Sequence, residues 1–91
     1  AEVLGGKWSL PIIFSLLKET KRFKELERQI EGINTRMLVK ELKQLENNGI
    51  VVRKVYPEIP PKVEYSLTEK GRALKNVLIE MRNWGNEYIT K

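Results

Sequence analysis

Residues 34–49, NTRMLVKELKQLENNG, constrain the fold more than any other stretch, because they predict one helix with two opposed faces. Leu38, Leu42 and Leu45 recur at intervals that place them on a single side of an α-helix. The opposite side carries longer polar side chains: Arg36, Lys40, Lys43 and Asn47. Such a helix is expected to dock on a domain through its leucines and to present its donors to an anionic partner. The DNA major groove is the leading candidate.

The length and charge of the chain agree with this expectation. At 91 residues the sequence fits one domain, residues 1–91, with no room for a second core. Its 17 Lys and Arg residues against 12 Asp and Glu residues give a formal net charge of +5. This balance favours a polyanionic partner, although many small basic domains bind no nucleic acid.

Several functional classes are disfavoured by the composition. The sequence contains no cysteine and no histidine, which removes thiolate and imidazole metal ligands, thiol nucleophiles and the commonest general base. The acidic residues show no pairing that suggests acid–base catalysis. No apolar run approaches the roughly 20 residues of a membrane span. We therefore expect a cytoplasmic protein that is not an enzyme, needs no cofactor or metal and does not enter a membrane.

The predicted order of elements is helix, helix, helix, hairpin, helix. A first helix begins near residues 5–7 and reaches Thr20, residues 21–23 are briefly extended, and a second helix covers residues 24–30. A third helix follows the Asn34 N-cap and ends at Gly49, strands cover residues 50–56 and 63–67, and Thr68 caps one long final helix. The tight turn at Gly32 and Ile33 suits a helix-turn-helix. The sequence thus predicts a mainly α fold with a small β hairpin or sheet, a winged helix-turn-helix.

In a helix-turn-helix, residues at the start of the second helix reach base edges. The candidate DNA-binding residues of the third helix are Asn34, Thr35, Arg36, Lys40 and Lys43. The planar guanidinium of Arg36 can donate two hydrogen bonds to guanine. Thr35 can donate or accept a hydrogen bond toward a phosphate or a base, and the two lysines suit phosphates. The alternative is an ordinary solvated face, the commoner explanation of a basic face alone. The turn before the helix and the hairpin after it favour DNA.

The hairpin adds three further candidates for DNA binding. Arg53, Lys54 and Lys62 flank a proline-rich tip, where a wing would meet the DNA backbone or minor groove. An equally weighted alternative for each residue is a surface hairpin whose lysines only aid solubility. Strand 51–56 does not alternate cleanly, so the pattern leaves open which of Arg53 and Lys54 points outward.

Apolar side chains at both ends of the chain exceed what a small domain easily buries. The candidates for a dimer interface are Trp8, Leu74, Val77, Leu78, Met81, Trp84 and Tyr88. They either complete the core of the monomer or contact a partner subunit, and we expect the final stripe to be divided between the two roles. A homodimer is favoured, because two-fold proteins match two-fold operators.

Several segments together carry a family resemblance: residues 5–10, 21–26, 32–38, 42–46, 49–51 and 56–68. They cover nearly the whole chain and resemble the HxlR-type branch of winged helix-turn-helix transcriptional regulators, relatives of the MarR group. The last segment, YPEIPPKVEYSLT, is the most specific, because its prolines and aromatic residues occur in one fixed order.

The resemblance implies a homodimeric bacterial or archaeal regulator that binds a palindromic operator near a promoter and dimerises through its terminal helices. It implies that Thr35, Arg36 and Lys40 lie on the recognition helix and that Lys62 lies beside the wing. Some members sense electrophiles or oxidants through a cysteine, which this sequence does not contain, so thiol sensing is not supported. A small-molecule effector stays open, with no residue that identifies it.

The expected function is sequence-specific binding of double-stranded DNA by a homodimeric transcriptional regulator. In that case each subunit reads one half-site, with the recognition helix in the major groove. The runner-up is a winged-helix module for protein–protein assembly, in which the basic helix face meets an acidic partner. An enzyme is a distant third.

Overall fold

The computed structural model describes residues 8–88, which form helices and short strands in the predicted order. The elements are α1 (Ser9–Lys18), β1 (Lys21–Arg22), α2 (Phe23–Gln29), α3 (Thr35–Asn47), β2 (Val51–Tyr56), β3 (Lys62–Leu67), α4 (Glu69–Arg72) and α5 (Lys75–Tyr88). The beginning expected for the first helix, residues 5–7, lies outside the described residues. The fold is mainly helical with a small sheet, a winged helix-turn-helix, as the sequence predicts.

The core is built from one apolar side of each of the first three helices. Ile12 and Ile13 of α1 and Leu26 of α2 are fully buried. The predicted stripe of α3 is confirmed, since Leu38, Leu42 and Leu45 are 0%, 2% and 1% exposed. Helix α3 is therefore fixed to the body of the domain by its leucines, as the second helix of a helix-turn-helix is.

The turns at both ends of α3 follow directly from local sequence. Gly32 adopts φ +87°, and Asn34 caps α3 by accepting a hydrogen bond from the Met37 backbone N–H at 2.8 Å. At the other end Gly49 adopts φ +72° and donates to Glu46 O at 3.0 Å. The next residue, Ile50, donates to Leu45 O at 2.9 Å, which completes a Schellman motif.

The three strands form one antiparallel sheet in the order β1-β3-β2. Directly paired residues share a face, so Arg53 lies with Tyr65, whereas Lys54 lies with Glu64 on the opposite face. The Arg53 face is the one that packs on the helices, because Val51 and its partner Leu67 are both 3% exposed.

The expectation of one long final helix after Thr68 is wrong. Thr68 does cap a helix, by accepting from Gly71 N at 3.0 Å, but α4 lasts four residues and α5 begins at Lys75. Gly71 lies against the chain just before β2, where an added Cβ would come within 2.4 Å of Ile50 O. The backbone then tightens into a turn, in which Leu74 N donates to Gly71 O at 3.2 Å. After this turn the chain continues as α5.

Among the described residues, no helix combines the length and the apolar character that crossing a membrane requires.

Candidate nucleic-acid interface

The outward side of α3 carries three exposed cations. Arg36, Lys40 and Lys43 are all exposed, on the side of the helix away from the buried leucines. Among residues 8–88, no carboxylate forms an ion pair with any of the three. Their charge is therefore not neutralised within the described part of the protein and is presented to solvent, which is the arrangement that the sequence predicts.

The acidic residues of α3 are turned toward the body of the protein. Glu41 accepts a hydrogen bond from the Ser9 hydroxyl of α1 at 3.4 Å, and Glu46 Oε1 lies 3.5 Å from Arg53 Nε of β2. The C-terminal end of the helix is held by Lys70, whose Nζ donates to Asn48 O at 2.9 Å. A cation at this end also interacts favourably with the helix dipole. Both acids of α3 thus have a partner on a neighbouring element, unlike the three cations.

The first turn of α3 presents two polar side chains that already have protein partners. Asn34 and Thr35 are both exposed. Asn34 Oδ1 accepts from Met37 N, which leaves its amide group to donate outward. The Thr35 hydroxyl donates to Oε2 of Glu27 in α2, across the turn between the two helices.

The hairpin places its two neighbouring cations on different faces, although Arg53 and Lys54 are both exposed. Arg53 points to the α3 side, where it borders a cavity of about 250 Å³ together with Lys43, Glu46 and Tyr65. Burial raises the pKa of the Tyr65 hydroxyl above its usual value of 10.0, the Arg53 charge opposes this shift, and the Glu46 carboxylate adds to it. Arg53 therefore lies next to Lys43 at the cationic side of α3, with its own charge paired to Glu46.

Lys54 and Lys62 lie together on the other face of the hairpin. Their ammonium groups are 5.1 Å and 4.9 Å from the centre of the Tyr56 ring, and Lys62 Nζ is also 3.4 Å from Glu64 Oε2. Cations over an aromatic face are attracted to the ring. The tip beyond them exposes Ile59 completely. The three predicted wing cations are thus divided, with one beside α3 and two away from it.

The candidate interface residues near the chain ends are also divided. An exposed stripe runs along α5, with Val77, Met81, Trp84 and Tyr88 between 51% and 65% exposed. The rings of Trp84 and Tyr88 are 5.4 Å apart.

The other interface candidates contact the core of the monomer. Leu78 is 1% exposed, so its expected place in the interface is corrected, because it has no surface left for a partner to cover. Leu74 and Trp8 are partly buried and pack against the core.

Three residues near the candidate site were not singled out from the sequence. Glu27 contacts Thr35, and Glu46 contacts Arg53. The ring of Tyr56 lies beneath the ammonium groups of Lys54 and Lys62. The Glu27 and Glu46 contacts each join two different elements, which no local pattern records. Tyr56 lies two residues from Lys54 on the same face of β2, whereas Lys62 reaches it from β3.

The model of one protein family, described as HxlR-like helix-turn-helix, matches residues 3–91. The chain is 44% identical over 87 residues to the uncharacterized HTH-type transcriptional regulator YdeP of Bacillus subtilis (strain 168), covering 96% of this chain and 68% of YdeP.

Solved structures resemble the protein closely. The reduced form of the transcriptional regulator YodB from B. subtilis matches with a TM-score of 0.90 and 46% identity, over 98% of this chain and 87% of that one. The redox regulator HypR in its reduced form matches with a TM-score of 0.89 and 45% identity, over 94% of this chain and 85% of that one.

Proposed function

This chain belongs to the HxlR-like helix-turn-helix family of transcriptional regulators, and from that premise we propose that it binds a palindromic DNA operator as a homodimer. Members of this family are regulators and not enzymes. The proposal adds the partner, the assembly and the residues that make contact. We further propose that residues 1–91 form one winged helix-turn-helix domain, which binds DNA in the cytoplasm.

One observation carries the proposal: α3 buries its leucines and exposes Arg36, Lys40 and Lys43, which have no carboxylate partner among the described residues. A helix presented in this way fits the major groove, which is wide enough to admit it. Arg36 lies in the first turn, where recognition helices reach base edges, and its guanidinium can donate two hydrogen bonds to guanine O6 and N7. Lys40 and Lys43 are assigned to phosphates, as compact charges without fork geometry.

The hairpin is assigned to the DNA backbone and minor groove beside the major groove that α3 enters. Arg53 lies on the α3 side of the sheet, and we assign it to a phosphate next to the one contacted by Lys43. Lys54 and Lys62 are gathered over Tyr56 behind the tip, and we assign them to the flanking backbone. These contacts position the protein and carry no sequence information directly.

The second copy is assigned to the exposed apolar stripe of α5. Val77, Met81, Trp84 and Tyr88 form a contiguous apolar surface at helical spacing, and exposed surfaces of this kind mark interaction sites. Trp8 and Leu74 border the core and stay in the proposed interface at its edge. A two-fold dimer places two α3 helices on half-sites about one helical turn, roughly 34 Å, apart.

The decisive experiment is selection of bound sequences from a random duplex pool, combined with sedimentation analysis of the free protein. We expect enrichment of an inverted repeat, a dimer in solution, and a slope of log K against log salt near −0.9 per neutralised phosphate. If no sequence is enriched and affinity for duplex DNA is negligible at moderate salt, the proposal is wrong. A module that binds an acidic protein through the same helix would then be favoured.

A further inference from the structure

The hydroxyl proton of Thr35, the first residue of α3, is already engaged. Thr35 Oγ1 donates its hydrogen bond to Glu27 Oε2, and an ionised carboxylate can only accept. A threonine hydroxyl has one proton and two acceptor lone pairs. Toward solvent, the Thr35 hydroxyl therefore presents an acceptor and no donor.

We propose that Thr35 reads an exocyclic amino group in the major groove, adenine N6 or cytosine N4, and that Glu27 is the positioning residue that imposes this polarity. The inference rests on the proposed function, because it assumes that α3 enters the groove. It specifies the operator further: one position in each half-site carries an amino base, A or C, on the strand that Thr35 faces, and G or T is disfavoured there.

The Thr35 hydroxyl is not expected to bind a phosphate, the other common partner of a recognition helix. Phosphate oxygens are acceptors, so they offer nothing to a hydroxyl that can only accept. The Glu27 carboxylate adds like-charge repulsion at the same place. In the major groove, by contrast, each base edge presents either an amino donor or a keto acceptor at comparable positions, so an acceptor on the protein distinguishes the two classes.

Thr35 differs from its neighbours at the start of α3, because Asn34 and Arg36 present hydrogen-bond donors, whereas the Thr35 hydroxyl presents an acceptor. Asn34 offers its NH₂ group as a donor, because its Oδ1 is engaged with Met37 N. Arg36 is exposed, and its guanidinium has donors only. Donors suit the N7 and O6 acceptors of guanine and the phosphates. Reading an amino group requires an acceptor, and among these three side chains Thr35 is the one fixed in that state.

The first test replaces the hydroxyl with a methyl group of the same shape. Wild type, Thr35→Val and Thr35→Ser are compared on the selected operator and on duplexes with each of the four bases at every position of one half-site. Wild type is expected to prefer amino over keto bases at one position by about 5- to 10-fold, the worth of one hydrogen bond. Thr35→Val is expected to lose this preference at that position alone, and Thr35→Ser to keep it.

The second test releases the hydroxyl proton. Glu27→Ala frees Thr35 to donate, so the preference at that position should disappear or shift toward keto bases. Glu31→Ala is the matched control, because Glu31 is an exposed acid of the adjoining turn with no bond to Thr35. Both changes remove one negative charge and should raise the overall affinity for DNA, but only Glu27→Ala should change the base preference, and Glu31→Ala should leave it as in wild type. Thermal unfolding of each variant verifies that the helices remain folded.

The outcomes separate the two proposals. If wild type selects an inverted repeat and Thr35→Val keeps the same amino-to-keto ratio at every position, the role of Thr35 is overturned and the proposed function stands. The same holds if Glu27→Ala and Glu31→Ala have identical base preferences. If wild type selects no sequence, the proposed function fails and this inference fails with it.

Discussion

Helices α3 and α5 are of similar length, 13 and 14 residues, but they present opposite chemistry to solvent. Within the described span, α3 buries three leucines and exposes Arg36, Lys40 and Lys43, whereas α5 buries Leu78 and exposes a row of apolar side chains. A cationic face is stable in water until it meets a polyanion. An apolar face in water favours burial against another apolar surface. This difference is why we propose DNA as the partner of α3 and a second subunit as the partner of α5.

The largest expected effect tests the apolar helix. Trp84→Ala should weaken the dimer by about 2 kcal/mol or more, roughly 30-fold in Kd, since large aromatic side chains dominate such interfaces. Trp84 is 57% exposed, so the fold of the monomer should survive. Sedimentation equilibrium measures the change. Asn83→Ala, on another side of α5, is the control and should leave the dimer intact. An unchanged dimer for Trp84→Ala would remove α5 from the interface.

The next effect tests the cationic helix. Arg36→Ala should weaken operator binding by about 1–3 kcal/mol and relax the preference at one base pair, because a bidentate base contact is lost. Lys43→Ala is the matched comparison and should weaken all sequences alike, lowering the salt slope by about 1. Fluorescence anisotropy titrations on the operator and on single-base variants measure both. Equal losses on every sequence for Arg36→Ala would contradict base reading.

A smaller effect concerns how α3 begins. Asn34→Ala should lower the free energy of unfolding by about 1 kcal/mol, because the Met37 N–H loses its capping acceptor. Asn34→Asp should retain most of the stability, since its carboxylate oxygen can accept the same bond and suits the helix N-terminus. Urea denaturation gives both values. Equal stability of wild type and Asn34→Ala would mean that the cap contributes nothing.

The smallest effect lies at the junction of α3 and the hairpin. Because burial raises the pKa of Tyr65 above 10.0, the folded state holds this proton more tightly than the unfolded state. The stabilisation is complete below about pH 10 and is lost as the pH rises through the higher pKa of the folded state. Urea denaturation at about pH 9 and about pH 11 should show a smaller decrease for Tyr65→Phe than for wild type. Parallel decreases would contradict a role for this hydroxyl.

Most of the helix-turn-helix could be predicted from sequence, because its signals are local. The Asn34 cap, the glycine turns at Gly32 and Gly49 and the leucine stripe of α3 all depend on residues within about one or two helical turns. The break between α4 and α5 was missed, because the turn at Ala73 and Leu74 leaves no mark in the helical spacing of the apolar residues. The packing of Gly71 against Ile50 O, a contact between separate elements, was likewise not recorded by any periodicity.

The sequence by itself determined which helix carries cations and which carries apolar side chains, since helical spacing sorts residues into faces without reference to other elements. Tertiary structure alone decided that Arg53 and Lys54 occupy opposite faces of the sheet, that Leu78 belongs to the core, and that Thr35 donates to Glu27. Each of these facts depends on how one element packs or pairs with another. The chemistry of each surface was therefore readable in the sequence, whereas the partner available to each single side chain was fixed by folding.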